Sequence, residues 1–128
     1  MAIEIHQLKV TTSGSAGSAS GSALKTVPKG RVLGIYLNYH GSAPNTTDVT
    51  VKADADSTGV PPDLTILTKS NSNTDAWVYP KTQDHDNVGA AITGSYSDPV
   101  VHGGVISVAV AQSDALTDAV VIYVVLER

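Results

Sequence analysis

Cysteine is absent from this 128-residue chain. Disulfides, zinc–thiolate sites and thiol chemistry are therefore excluded. Phenylalanine is absent too, and one tryptophan and five tyrosines are the whole aromatic complement. Core volume must come from Val, Ile, Leu and Ala. Such a core suits a thin packing of two sheets better than a helical bundle, because β-branched side chains fit a pleated surface. Long hydrophobic runs are also missing. The longest, Ala119 to Leu126, is far short of the roughly 20 residues that a membrane helix needs. The start, Met1-Ala2-Ile3-Glu4, shows neither the basic nor the apolar region of a signal peptide.

Catalytic motifs are equally scarce. Gly17-Ser18-Ala19-Ser20-Gly21 has the glycines of a hydrolase elbow but places Ala19 where the nucleophile must be. No glycine-rich phosphate loop occurs, and His6, His40, His85 and His102 have no metal spacing. The expectation is a protein that is not an enzyme and carries no cofactor. Asn45-Thr46-Thr47 fits a glycosylation sequon and carries little weight without a signal peptide.

Charge is uneven. Up to Thr47 the charged residues are Lys9, Lys25, Lys29 and Arg31 against Glu4 alone; all the other acids lie beyond it. Many aspartates sit where turns are expected, since Asp is a turn residue. A sharper alternative is a bipolar subunit with a basic end for a partner. The net charge of −4, with no basic stripe, argues against nucleic-acid binding.

Period two dominates the chain, and no stretch holds a helical period for three turns. Ile3 and Ile5, then Leu8 and Val10 after a phase change, predict a first strand. The tract from Thr11 to Ala23, T-T-S-G-S-A-G-S-A-S-G-S-A, has the composition of a linker. Its alternation of Ala19, Gly21 and Ala23 with serines points instead to a strand. Residues 1–27 are thus expected to form an N-terminal hairpin, 3–12 with 19–27 turning through 13–18, or an arm. In the strongest strand, Leu33, Ile35, Leu37 and Tyr39 alternate with Val32, Gly34, Tyr36 and Asn38. Further strands are predicted at Val49–Val51, Leu64–Thr68, Asp75–Pro80, Ile106–Val110 and Val120–Leu126. The last is apolar on both parities, which predicts cover on both faces. Residues 81–99 are polar and turn-rich, a candidate binding loop. Eight or so short strands with no helix predict one all-β domain over 1–128, an antiparallel β-sandwich of jelly-roll type.

Three constellations merit weighing. Asp54-Ala55-Asp56-Ser57-Thr58-Gly59 opens like a calcium loop, but position twelve is Thr65, which cannot be the closing carboxylate. An Asp-rich turn is the better account. Asp84-His85-Asp86 offers metal-binding groups, yet three adjacent residues on extended chain cannot all face one ion. No metal site is expected. Trp77 and Tyr79 share one strand face, a spacing that suits a platform for sugar rings. With so few aromatics available, packing in the core or an interface is the stronger expectation.

G-R-V-L-G-I-Y-L-N-Y at 30–39, T-T-D-V-T-V-K at 46–52, V-Y-P-K at 78–81, G-G-V-I-S-V-A-V at 103–110 and the closing V-V-I-Y-V-V-L follow one another as strands. In composition and order they resemble small tailed-bacteriophage virion proteins of the head-decoration or cement type. The likeness spans most of the chain and includes no diagnostic motif. It implies a β-sandwich subunit, commonly trimeric, on the capsid surface of the virion, with the major capsid protein as partner and no catalytic residues. On that reading Lys9, Lys25, Lys29 and Arg31 form the contact surface with the capsid or a neighbouring subunit. The alternative is a carbohydrate-binding or receptor-binding module with Trp77 and Tyr79 as its glycan contacts. Neither expectation involves nucleic acid or a membrane.

Overall fold

The computed structural model describes residues 2–55 and 58–128. Its strands are β1 (Ile3–Val10), β2 (Ala19–Thr26), β3 (Gly30–Tyr39), β4 (Asp48–Ala53), β5 (Leu64–Lys69), β6 (Ala76–Val78), β7 (Thr82–His85), β8 (Ala91–Ser97), β9 (Val100–Val101), β10 (Val105–Ser113) and β11 (Val120–Glu127). No helix occurs among the described residues. A five-stranded sheet has the order β1-β11-β3-β6, with β9 also on β3. A four-stranded sheet has the order β2-β10-β4-β5, and β7 and β8 pair separately. Every pairing is antiparallel. The protein is an all-β sandwich.

The inward parity of each sheet supplies the core. Val10, Ile35, Leu37, Ile122 and Val124 come from one sheet, and Val49, Val51, Ile106, Val108 and Val110 from the other; all are buried. Aliphatic burial at roughly 25 cal/mol per Å² is the main stabilising term. Tyr39 is the one tyrosine turned into this core, and burial pushes its hydroxyl pKa up.

Three expectations about the N-terminal half need correction. First, residues 3–12 and 19–27 do not pair as a hairpin. β1 lies on β11 and β2 on β10, in opposite sheets. A single bridge, Ser13 to Ser20, marks the arch between them. The arch is tied to the β10–β11 connection: Gly17 N–H donates to Asp114 Oδ1 at 2.9 Å, and Thr12 N–H to the Leu116 carbonyl at 3.0 Å. The small residues serve this crossing, since a Cβ on Gly21 would collide with the Thr11 carbonyl oxygen.

Second, β1 has no phase change. It pairs in unbroken register from Ile3–Glu127 to Val10–Val120. Leu8 and Val10 therefore point inward, and Ile3 and Ile5 point out to solvent, 63% and 66% exposed. Third, the register of β3 shifts beside Val125 and Leu126, so Val32 joins Ile35 in the core and Leu33 is only half-buried. A bulge of one residue reverses parity beyond it.

β11 is covered on both faces only in part. Its inner residues are buried, whereas Val121, Tyr123 and Val125 are half-exposed, shielded by flanking strands β1 and β3. The polar stretch at 81–99 is mostly the β7–β8 hairpin.

Candidate functional site

The wet face of the five-stranded sheet carries most of the chain's aromatic side chains. Register places Gln7 opposite Tyr123, Tyr123 opposite Tyr36, and Tyr36 opposite Trp77. One row of side chains thus crosses four strands. Each sits on the parity opposite to a core residue: Tyr36 lies between Ile35 and Leu37, and Tyr123 between Ile122 and Val124.

The rings contact one another along this row. Tyr36 and Trp77 have centroids 5.2 Å apart with planes tilted by 51°. Tyr36 and Tyr123 are 6.3 Å apart at 47°. Trp77 and Tyr79 lie 6.2 Å apart and stack at 9°. Gln7 Nε2 donates to the Tyr123 hydroxyl at 3.0 Å, which holds that ring at one end. At the other end Tyr79 lies over Gly34. A Cβ there would meet Cδ1 and Cε1 of Tyr79 at 3.1 Å, so a bare backbone is what lets the ring lie flat. A groove of about 300 Å³ opens between the rings, lined by Ile5, Tyr36, Asn38, Trp77 and Tyr123.

Trp77 is 52% exposed and Tyr79 62% exposed. Of the expected packing in the core or an interface, their exposure removes the core half. β6 is the short outer strand of its sheet, and Trp77 falls on its solvent parity, where no second layer covers it. Sequence inspection singled out Trp77 and Tyr79 but missed Tyr36, Tyr123, Asn38 and Ile5. Their parity was a usable signal for Tyr36 and Tyr123; their adjacency to Trp77 depends on pairings across the whole chain.

Charge gathers at one end of the same sheet. Arg31 pairs with Glu127 and, at 3.6 Å, with Asp98, which also pairs with Lys81. The Glu127 carboxylate, by hydrogen bond and charge, holds the Arg31 guanidinium above its usual pKa. Glu4 accepts from Arg128 Nε at 2.9 Å and lies 2.9 Å from His6 Nε2. The four basic residues proposed as a contact surface are not brought into one patch. Lys25, Lys29 and Arg31 gather where β2 leads into β3, while Lys9 pairs with Val121 toward the far end of β11. Lys9 and Arg31 are separated by about six residues of strand, roughly 20 Å, and Arg31 is already paired.

No protein-family model matches this chain, and no curated protein matches it either. Two solved structures are similar to it, both variants of CBM29-2 from work on ligand recognition by family 29 carbohydrate-binding modules. One has 12% identity over 98% of this chain and 81% of that one, with a TM-score of 0.38. The other has 11% identity over the same shares, with a TM-score of 0.36.

The remaining constellations have structural employment. Asp84 accepts from Ser95 Oγ at 2.6 Å and Ser97 Oγ at 2.5 Å, and these hydroxyls hold its carboxyl below the usual range. Asp86 accepts the backbone N–H groups of Val88 and Ala90 at 3.0 Å each, shaping the tip of the hairpin. The aspartate loop at 54–59 falls partly on residues 56 and 57, outside the described residues. Its described part is turn-like: Asp54 accepts from Ser107 Oγ and the Ala55 N–H donates to Asp63, both at 2.6 Å. Among the described residues no three His, Asp or Glu side chains could hold a metal ion together.

Proposed function

We propose that this chain is a non-catalytic carbohydrate-binding module. The outer face of its five-stranded sheet is the platform, and Trp77 and Tyr79 are the principal contacts. The observation that carries this reading is the stacked, half-exposed Trp77–Tyr79 pair, continued by Tyr36 and Tyr123 across the sheet. A single exposed ring needs no explanation. A contiguous aromatic face does, because it leaves much apolar area in water that a ligand can cover. The C–H faces of a pyranose suit such a surface, while Asn38 and the tyrosine hydroxyls at its margin suit sugar hydroxyls. A glycan array tests the reading. Binding that disappears in Trp77→Ala, with the circular dichroism spectrum intact, supports it; binding that survives the substitution removes the platform.

The second reading is the decoration or cement subunit on the virion capsid surface, homo-oligomeric and bound to the major capsid protein. Ile3 and Ile5 favour it, since both are exposed beside the aromatic row and give an apolar strip of the kind interfaces cover. It expects a trimer by light scattering or density for the chain on the capsid of its parent particle. A monomer at micromolar concentration that binds glycans would favour the first reading.

A further inference from the structure

The groove beside Trp77 has two chemical demands at once. Its walls are apolar and aromatic: Ile5, Tyr36, Trp77 and Tyr123. Its remaining lining residue, Asn38, has a carboxamide with no hydrogen-bond partner among the described residues, and the Trp77 indole N–H has none either. No charged side chain lines the groove. Its volume of about 300 Å³ lies at the small end of ligand sites, roughly 300–1,000 Å³. That is room for one substituted ring of a longer chain.

We propose that this groove selects an acetamido group, so that the ligands of the platform are glycans containing N-acetylhexosamine. This rests on the carbohydrate-binding reading above and narrows it. An acetamido group has a methyl for the apolar walls, one N–H and one C=O. Asn38 supplies an acceptor and two donors to match the amide. The other common ring substituents each meet only part of the demand. A hydroxyl satisfies Asn38 and leaves Ile5 and the tyrosine faces uncovered. An alkyl group covers those walls and leaves the carboxamide desolvated, which is costly. A free amine or carboxylate surrenders its hydration with no counter-charge in the lining. The acetamido group alone covers the walls and pairs the amide.

The experiment is a ¹H–¹⁵N NMR titration of the full chain with three β-1,4-linked trisaccharides of matched length. These are triacetylchitotriose, its de-acetylated form and cellotriose. The expected result is binding of the acetylated trimer tenfold or more tighter than either other, since filling an apolar pocket and pairing its polar group discriminate on that scale. Asn38→Leu keeps the folded spectrum and reduces the preference to near unity, while Trp77→Ala removes binding of every trimer. Equal affinity for the acetylated trimer and cellotriose overturns the acetamido assignment and leaves the platform standing. A preference that survives Asn38→Leu also overturns it. No response at Tyr36, Trp77 or Tyr123 to any trimer overturns this inference, and the glycan array then decides the carbohydrate reading separately.

Discussion

The two outer faces of the sandwich are built on the same backbone plan and differ in what their solvent parity carries. On the five-stranded sheet one row is Gln7, Tyr123, Tyr36 and Trp77. On the four-stranded sheet the comparable row is Ser22, Ala109, Thr50 and Thr68. The next row, Leu24, Ser107, Lys52 and Thr65, is hardly more distinctive. The inward parities are interchangeable in kind, Val and Ile in both. The core therefore explains why each sheet exists and says nothing about which face would carry the proposed platform. Large rings create relief, a groove and polarizable surface; hydroxyls and methyl groups leave a flat, well-hydrated surface on which a ligand gains little over water.

Substitutions at matched positions test the difference between the two faces. The largest expected effect is within β11. Ile122→Ala, on the buried parity, should destabilise the fold by about 3 kcal/mol. Tyr123→Ala, one residue on and facing out, should cost about 1 kcal/mol or less. Urea denaturation measures both, and equal losses would mean that the outer face is a structural layer. Next comes binding: Trp77→Ala should cost about 2 kcal/mol or more, enough to take glycan binding below detection. Thr50→Ala on the other face should leave affinity unchanged, by the same titration. Gly34→Ala is a finer probe. Its new methyl lifts the Tyr79 ring, so affinity should fall by less than in Trp77→Ala, and the Tyr79 ring signals should shift while the core spectrum stays put.

The smallest expected effect concerns the β7–β8 hairpin, which borders the platform in sequence. Hydrogen bonds from Ser95 and Ser97 lower the Asp84 pKa. A lowered folded-state value means that their stabilisation is complete above the unfolded carboxylate's pKa and is lost as pH falls through the folded one. Protection factors of the hairpin amides, which correct for the slower intrinsic exchange in acid, should therefore fall with the Asp84 titration. Ser95→Ala should move that midpoint upward, and the platform signals should not follow it. A platform that titrates with Asp84 would tie the hairpin to the aromatic face.

Much of the fold was legible. Alternation at Val49–Val51, Ile106–Val110 and in the aliphatic core of β3 marked strands with one wet face, and these lie in the sandwich as expected. The failures have a common cause. The phase change assigned to β1, the misplaced Val32 and Leu33, and the hairpin assigned to 1–27 all assumed that neighbours in sequence decide the register. Here the partners are remote. β1 takes its register from β11, and β2 takes its own from β10. The polar stretch at 81–99 lacked a pattern because β7 and β8 face solvent nearly throughout, so no buried parity was needed to hold the pairing.

The candidate site divides in the same way. Trp77 and Tyr79 were recognisable as a pair because residues two apart on a strand share a face whatever the partners. Sequence alone also determined that this protein has a cysteine-free aliphatic β core and no catalytic motif, since composition and period are local properties. The fold alone puts Tyr36, Trp77 and Tyr123 in one row with Asn38 and Ile5 beside them. Long-range strand pairing brings these residues together, and no local propensity encodes which distant strand will lie alongside.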